Sequence, residues 1–323
     1  MMKFFCASLC LLALGSSFAA LPARQGTAEK ITRTWKSADG RALEAELLEY
    51  DATEIRIKRA TDLQIMKVPL SAFSKADQDF VGGLLHERAL DESLSKGPYA
   101  EKITGSFVQA TSKQGLNYQI YGNPKWDNKQ RYPLVIWLHG SGQSGSDNTS
   151  QMGGATGVFT KAENQSKNPC FMVAPQCPDA DIGWNKQVAD NLMALIADLT
   201  DKLPIDTNRL YLTGSSMGGF GSFSLATKYP QVFAAVVPLC GGSDPKNAEV
   251  LKAVPLWAFH GDKDDMVPVE RTRNVMKAIE AAGGKIGKYT ELTGEGHGIT
   301  GVVYSKPELH DWIFAQRRNA PRE

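Results

Sequence analysis

The sequence predicts an α/β protein with a mostly parallel sheet and helices on both faces, preceded by a small β-rich domain. From about residue 99 onward, short apolar runs alternate with helical patterns, which is typical of parallel strands joined by helices. Between residues 31 and 81, apolar and polar side chains instead alternate in short runs separated by turn signals, as in antiparallel strands.

The composition excludes several classes of protein. The 323 residues are 42% hydrophobic and 22% charged, which excludes a largely disordered, collagen-like or low-complexity chain. The 36 basic and 35 acidic residues give a net charge of +1. Without an excess of basic residues, we expect neither nucleic acid nor an anionic membrane surface as a partner.

The first residues are typical of a signal peptide. Lys3 supplies a positive charge, residues 4–14 are apolar, and the small residues Ser17 and Ala19 fit cleavage after Ala19. An apolar run of about 11 residues is shorter than the ~20 that a spanning helix needs. We therefore expect residues 1–19 to be a signal peptide, no membrane span, and a secreted or periplasmic protein.

Three cysteines follow the signal peptide, and an odd number does not form a closed disulfide framework. Cys170 and Cys177 flank a predicted strand, which would hold their α-carbons about 23 Å apart, beyond the ~7 Å reach of a disulfide. Cys177 and Cys240 both follow strands and could meet at one sheet edge. A role as small buried hydrophobic residues is the favoured interpretation.

The small β-rich domain is predicted over residues 30–81. Three or four short strands within about 50 residues favour an SH3-like barrel, and a short helix is expected at residues 71–78. Residues 82–98 are charged and mixed, and we interpret them as a helical or irregular connector to a catalytic domain over residues 99–323.

Two patterns in the small β-rich domain resemble the Sla-homology-type module of secreted bacterial enzymes. These are W-x-S-x-D-G-R at residues 35–41 and V-P-L-S-x-F-S-x-x-D-Q at residues 68–78. No combination of acid, base and nucleophile occurs there. We therefore expect a binding or spacer module, for which the sequence names no partner.

The larger domain is predicted from its strands and the loops that follow them. The apolar runs are residues 134–138, 171–174, 210–212, 234–237 and 256–259. One helix face is marked by Val188, Leu192, Ile196, Leu199 and Leu203. In such sheets the chemistry collects at the loops after the strands.

A nucleophile is predicted at the end of one of these strands. Residues 214–218 form a G-x-S-x-G pattern between an apolar strand and a helix expected over residues 217–228. A strand-to-helix elbow has strained backbone angles and needs small neighbours, which Gly214 and Gly218 provide. The centre of the pattern is Ser216 rather than Ser215.

A serine hydroxyl needs a base, and we select one histidine of five. His297 alone lies in an exposed-looking glycine loop, residues 294–298, after a last strand near residues 288–292. The other histidines are in the connector, in a final helix or at the ends of apolar strands: His86, His310, His139 and His260.

An acid is needed to orient the imidazole of that base. Asp264 occupies the acid position of H-G-x-x-D-x-x-V-P, with Asp265 as the alternative and Asp262 as a turn cap. Ser216, Asp264 and His297 then follow the chain order of α/β-hydrolases.

Two backbone donors are expected for an oxyanion. One is the N–H of Met217, directly after the nucleophile. The other comes from the glycine loop after an earlier strand, with Ser141 favoured and Gly140 second. The competing interpretation, a phosphate-binding loop, lacks the G-K-[ST] ending.

Further motifs carry a resemblance to a known family. They are Y-P-L-V-I-W-L-H-G at residues 132–140, G-S-D-N at 145–148, A-P-Q-C-P at 174–178 and P-L-C-G-G at 238–242. Over about residues 105–317 the chain resembles the α/β-hydrolase group of secreted esterases and peptidases allied to feruloyl esterases and polyester depolymerases. The resemblance implies a serine carboxylic-ester hydrolase that needs no metal or organic cofactor. Residues 298–301 depart from the polar residue and Trp that relatives often carry after the histidine.

The substrate pocket and the substrate are less constrained. Ser215 and Trp184 are candidate pocket residues, although Trp184 fits core packing equally well. Residues 241–254 leave too little chain for a lid, which favours short acyl groups or acetyl and feruloyl esters of polysaccharides. The alternatives are a serine peptidase of prolyl-oligopeptidase type without its propeller, and an inactive hydrolase-fold binding module.

Overall fold

The computed structural model describes residues 31–126 and 130–318, without the side chains of residues 87–95. The predicted signal peptide, residues 1–19, lies outside the described residues. The chain divides into two compact units at Leu85. Within the described residues, none of the helices has the length and apolarity that a bilayer crossing requires.

The first unit is an antiparallel sheet of four strands paired in chain order. They are β1 (Ile31–Lys36), β2 (Ala42–Tyr50), β3 (Glu54–Arg59) and β4 (Ile65–Pro69). Trp35, Ile55 and Ile57 are buried and alternate with outward-facing neighbours, as strands with one buried face require. An SH3-like barrel remains a prediction for this β-rich region.

The helix that follows is longer than the sequence predicts. A 3₁₀ turn (Leu70–Ala72) leads into α1 (Lys75–Lys96), which includes most of the segment interpreted as a connector. Ser74 caps the start of the helix, since its Oγ accepts the Asp77 N–H at 3.3 Å and donates to the Asp77 carboxylate at 2.7 Å. No proline occurs between Pro69 and Pro98, so the helix continues past Gly82 and Gly83.

Asp77 also fixes this helix to the sheet. Its buried carboxylate accepts the Lys36 N–H at 2.9 Å and forms an ion pair with Arg33 at 2.8 Å. These contacts give a physical role to the aspartate of the V-P-L-S-x-F-S-x-x-D-Q pattern.

The second unit contains an eight-stranded sheet in the order β12-β11-β10-β9-β7-β8-β6-β5. Its strands are β5 (Val108–Thr111), β6 (Asn117–Tyr121), β7 (Tyr132–Leu138), β8 (Phe171–Pro175), β9 (Ile205–Ser215), β10 (Ala235–Leu239), β11 (Trp257–Gly261) and β12 (Lys288–Leu292). Strands β7 to β12 pair in parallel, whereas β6 is antiparallel to both of its neighbours. The predicted mostly parallel sheet is therefore confirmed.

Helices cover both faces of this sheet, as predicted. They are α2 (Thr156–Phe159), α3 (Ala162–Lys167), α4 (Lys186–Lys202), α5 (Met217–Lys228), α6 (Ala248–Leu251), α7 (Glu270–Ala281), α8 (Thr300–Tyr304) and α9 (Pro307–Ala315). Along β7, Leu134, Ile136 and Leu138 pack with α4, α5 and α7, while Val135 and Trp137 pack with α2, α8 and α9. The period of two in a strand divides the core into these two layers.

Helix α5 lies unusually close to the strands beneath it. A Cβ atom on Gly218 would lie 1.9 Å from the carbonyl oxygen of Leu138 in β7, and one on Gly219 would lie 2.2 Å from that of Leu239 in β10. Because both neighbours are backbone atoms, neither can move without displacing a strand. Only glycine permits this approach.

We therefore expect Gly219→Ala to destabilise the protein by about 3 kcal/mol or more, because the added methyl displaces α5 from β10. Gly301→Ala is the matched control, since Gly301 is exposed in α8 with open space around it. The control should gain roughly 0.5–1 kcal/mol from helix propensity. Urea unfolding measures both, and equal stability of the two variants would contradict the tight packing of α5.

Candidate active site

The predicted nucleophile lies in a sharp turn between β9 and α5. Ser216 separates the last residue of β9 from the first of α5 and has φ 57° and ψ −120°, a strained conformation for a residue with a side chain. Its N–H donates to the carbonyl of Leu239 at 2.9 Å. The half-buried serine is thus held by the backbone of two neighbouring strands.

The predicted acid and base are joined by a direct hydrogen bond. His297 Nδ1 lies 2.7 Å from Asp264 Oδ2. The Asp264 side chain is fully buried and that of His297 is 18% exposed. Since Nδ1 is occupied by the carboxylate, Nε2 is the ring atom left for a serine or a substrate.

Backbone donors keep the Asp264 carboxylate ionised. Its Oδ1 accepts the N–H groups of Met266 at 2.9 Å and Val267 at 2.8 Å. Burial alone would raise the pKa of Asp264, but these two N–H groups and His297 together lower it. An ionised acid can stabilise a cation on the neighbouring imidazole.

The other two aspartates of this loop have different surroundings. Asp262 accepts the N–H of Gly294 at 2.7 Å and so ties the acid loop to the histidine loop, in keeping with its predicted role as a turn cap. The alternative acid, Asp265, is exposed. His297 therefore takes Asp264 as its hydrogen-bond partner.

The three predicted residues follow strands that end at one edge of the sheet. Ser216 follows β9, Asp264 follows β11 and His297 follows β12, and these strands run parallel with β10 among them. The carboxyl ends of parallel strands meet at the same edge. The fold therefore brings the three loops together, and the direct contact of Ser216 with His297 remains a prediction.

The predicted oxyanion donors both lie at helix starts. Met217 is the first residue of α5, and Ser141 is the first of a 3₁₀ turn (Ser141–Gln143) after β7. N–H groups at these positions have no acceptor within their own helix. The N–H of Gly140, the second candidate, donates to Gln143 Oε1 at 3.2 Å, which favours Ser141. A Cβ on Gly140 would lie 3.5 Å from that of Ser216, so the two loops adjoin.

Two further residues considered in the sequence analysis contact the loop that carries the predicted oxyanion donors, residues 139–143, called the oxyanion loop below. His139 is buried, its Nε2 accepts the N–H of Cys177 at 2.9 Å, and its Nδ1 lies 2.7 Å from the Gly140 carbonyl. Burial lowers the pKa of His139, so it is a neutral ring that donates through Nδ1. The Trp184 indole donates to the His139 carbonyl at 3.1 Å and is 1% exposed. These contacts agree with the expectation that Trp184 packs in the core. Roles of Trp184 and Ser215 in a substrate pocket remain predictions.

Sequence reasoning did not identify two glutamines that hold the oxyanion loop. The Gln143 amide donates to the carbonyl of Ser150 at 3.0 Å, in addition to accepting from Gly140. The Gln176 amide donates to the Gln143 carbonyl at 3.3 Å and accepts the Asn148 N–H at 2.7 Å. Gln176 lies in the A-P-Q-C-P motif directly after β8, and that polar residue at a strand end was the available signal.

The cysteines are buried free thiols. The open question of a Cys177–Cys240 disulfide is resolved, because Cys170, Cys177 and Cys240 are all unpaired. The interpretation as small buried residues is confirmed. Burial raises the pKa of Cys170 to about 12, and burial together with the Asp264 charge does the same for Cys240.

One cluster of potential metal ligands occurs among the described residues. Donor atoms of Cys240, His260 and Asp264 lie within 4.8 Å of one another. A metal would require the Cys240 thiolate, which its raised pKa disfavours. Both ring nitrogens of His260 already have hydrogen-bond partners. The cluster is therefore a hydrogen-bonded group around the acid.

Two known proteins with similar sequences are esterases by name. "Putative esterase NocK" of Nocardia uniformis subsp. tsuyamanensis is 29% identical over 215 residues, which are 62% of this chain and 60% of that protein. "Probable feruloyl esterase C" of Aspergillus terreus is 27% identical over 159 residues, covering 48% of this chain and 57% of that protein. The chain thus spans about three fifths of the length of these two relatives.

A solved structure and a family model agree with these relatives. The crystal structure of a thermostable esterase superposes with a TM-score of 0.61 at 32% identity, covering 66% of this chain and 62% of that one. The model of the esterase family, described as "Putative esterase", matches residues 110–278, just over half of the chain. The chain therefore belongs to this esterase family.

Proposed function

We propose that the protein is a serine carboxylesterase that uses Ser216, His297 and Asp264. The observation that carries this proposal is the 2.7 Å hydrogen bond between His297 and the buried Asp264, at the sheet edge where the strained Ser216 turns into α5. A buried acid on one imidazole nitrogen leaves the other free to act as a base.

The reaction follows from these positions. The Ser216 hydroxyl attacks the ester carbonyl while its proton passes to His297 Nε2, and the oxyanion accepts hydrogen bonds from the N–H groups of Met217 and Ser141. The intermediate collapses by releasing the alcohol, which takes the proton from His297. Water then attacks the acyl-enzyme by the same route and releases the acid.

The substrate class is proposed from the short connection between β10 and β11 and from the relatives. The chain between β10 and β11 forms a short 3₁₀ turn (Pro245–Asn247) and the four-residue helix α6, which leaves no room for a lid. Short acyl esters, or acetyl and feruloyl esters on polysaccharides, fit such a site. The name of one relative, a feruloyl esterase, supports the second group.

The location and the first unit complete the proposal. The predicted signal peptide supports a secreted or periplasmic enzyme acting on substrates outside the cytoplasm. The β-rich unit is proposed to be an SH3-like binding or spacer module, because the sequence of residues 31–81 shows no combination of acid, base and nucleophile.

We expect the purified protein to hydrolyse p-nitrophenyl acetate or butyrate, and Ser216→Ala to lose at least about 10³-fold in kcat. A panel that spans acyl length, methyl ferulate and acetylated xylan would identify the natural class. A fluorophosphonate should modify Ser216 to one equivalent in the wild type and in Ser215→Ala.

Three results would contradict the proposal in different ways. Cleavage of peptides without cleavage of any ester would favour the serine peptidase. An unmodified Ser216 would favour an inactive binding module. Modification of Ser215 in place of Ser216 would show that the nucleophile is misassigned.

The choice of acid has its own test. Asp264→Asn should lower kcat by about 10³–10⁴-fold, because an amide at this position cannot stabilise the imidazolium and favours the wrong tautomer. Asp265→Asn removes the same charge from the exposed neighbouring position and should keep kcat within about threefold. Steady-state kinetics at pH 8 measures both variants, and a larger loss in Asp265→Asn would exchange the two assignments.

A further inference from the structure

A second imidazole contacts the acid. His260, near the end of β11, has a fully buried side chain whose Nε2 lies 3.1 Å from Asp264 Oδ2. This is the oxygen that accepts His297 Nδ1 at 2.7 Å. Two histidines therefore share one carboxylate oxygen, and the proposed mechanism uses only His297.

The partners of His260 determine where its protons lie. Its Nε2 faces two acceptors, Asp264 Oδ2 and the carbonyl of Val267 at 2.9 Å. An acceptor on this side requires a proton on Nε2.

Its other ring nitrogen also faces an acceptor. Nδ1 lies 2.7 Å from Thr272 Oγ1. Thr272 Oγ1 also lies 2.7 Å from the carbonyl of Gly241, and when its single hydroxyl proton donates there, Thr272 accepts from the ring. All of these hydrogen bonds are satisfied together only when both nitrogens of His260 carry protons.

We infer that His260 is a buried imidazolium that positions the Asp264 carboxylate and sets the charge seen by the catalytic base. The inference rests on the proposed function, because it concerns the acid of that triad. His260 acts through Asp264 and is a positioning residue rather than a catalytic one.

The groups around His260 balance this charge. From β12, Glu291 is its register partner, and the Arg273 guanidinium of α7 lowers the pKa of Glu291 to about 2. Directly after β10, the Cys240 thiol faces the acid, and burial together with the Asp264 charge raises its pKa to about 12. Arg273 also pairs with the exposed Glu270 at 2.9 Å, so its charge is shared between two carboxylates, and the cation of His260 is the charge that offsets Asp264 directly.

This balance has a consequence for the base. With the charges of His260 and Asp264 matched, a proton on His297 in the resting enzyme is an additional positive charge no more than about 6 Å from His260 Nε2, because the two rings contact the same carboxylate oxygen at 2.7 and 3.1 Å. The positive charge of His260 thus favours the neutral form of His297 that accepts the serine proton. Removal of this charge would leave a net negative cluster and make His297 easier to protonate.

The test combines ring spectroscopy with a pH–rate profile. In ¹H–¹⁵N spectra of the resting wild type at pH 7, the ring that disappears in His260→Gln should show two protonated nitrogens. In His260→Gln the acid limb of kcat/KM, and the midpoint of the His297 ring titration, should rise by about two pH units, the effect of a unit charge about 6 Å away at an effective dielectric constant of about 20. Circular dichroism checks that the variant is folded.

A second pair of variants changes His260 without replacing it. Thr272→Val removes the acceptor opposite Nδ1 and should shift the acid limb in the same direction, whereas Thr272→Ser keeps the hydroxyl and should restore the wild-type position of the limb. If His260 had only a structural role, Thr272→Val would lower kcat without moving the acid limb of the kcat/KM profile.

The outcomes separate the two proposals. A ring of His260 with one unprotonated nitrogen, or a limb and ring titration that do not move in either folded variant, would overturn this inference. A wild type that hydrolyses no ester would instead refute the proposed function, and the ring spectra of His260 and His297 would still decide whether His260 is charged.

Discussion

The close approach of α5 to β7 and β10 is the constraint on which the candidate site depends. Two consecutive glycines, Gly218 and Gly219, lie against backbone carbonyls of these strands. The chain must therefore change from strand to helix within one residue, and Ser216 takes the strained conformation that results. The packed strands and helix on either side hold this strain, so the position of the hydroxyl is set by the backbone.

The remaining loops are fixed by polar contacts. The acid accepts two backbone N–H groups, and the oxyanion loop is held by Gln143, Gln176 and His139. Donors fixed in the folded protein need not reorganise when charge develops on a substrate, which is how such loops lower a barrier. The structure thus supports the proposed chemistry through its loops as well as its three predicted residues.

Local patterns predicted the parts of the molecule that depend on local chemistry. The parallel sheet, the strand-to-helix turn at Ser216 and the choice of Asp264 beside His297 all follow from short motifs with a clear physical meaning. The length of α1 was left open, because the apolar residues in 82–98 have only loosely helical spacing and the segment was interpreted as a helical or irregular connector. The structure shows that the absence of a proline was the better signal there.

Contacts between distant segments could not be predicted from one sequence. Gln143 and Gln176 are 33 residues apart, and Thr272 meets His260 only because α7 packs against β11. A buried polar side chain is constrained by its partners, and these are set by the fold rather than by the neighbouring sequence. Trp184 illustrates this, since the pattern around it allowed both a pocket wall and a core position.

Two buried histidines show how hydrogen-bond partners determine the charge of an imidazole ring. His139 and His260 both lie at the ends of parallel strands, and each is followed by a glycine. His139 Nε2 faces the N–H donor of Cys177, so its ring is neutral, whereas His260 Nε2 faces the Val267 carbonyl and Asp264, and we infer that its Nδ1 donates to Thr272. A neutral ring beside the oxyanion loop keeps that loop free of fixed charge, and a cation beside the acid offsets the carboxylate. The same residue type in the same local sequence therefore serves opposite electrostatic needs at the two ends of the proposed site.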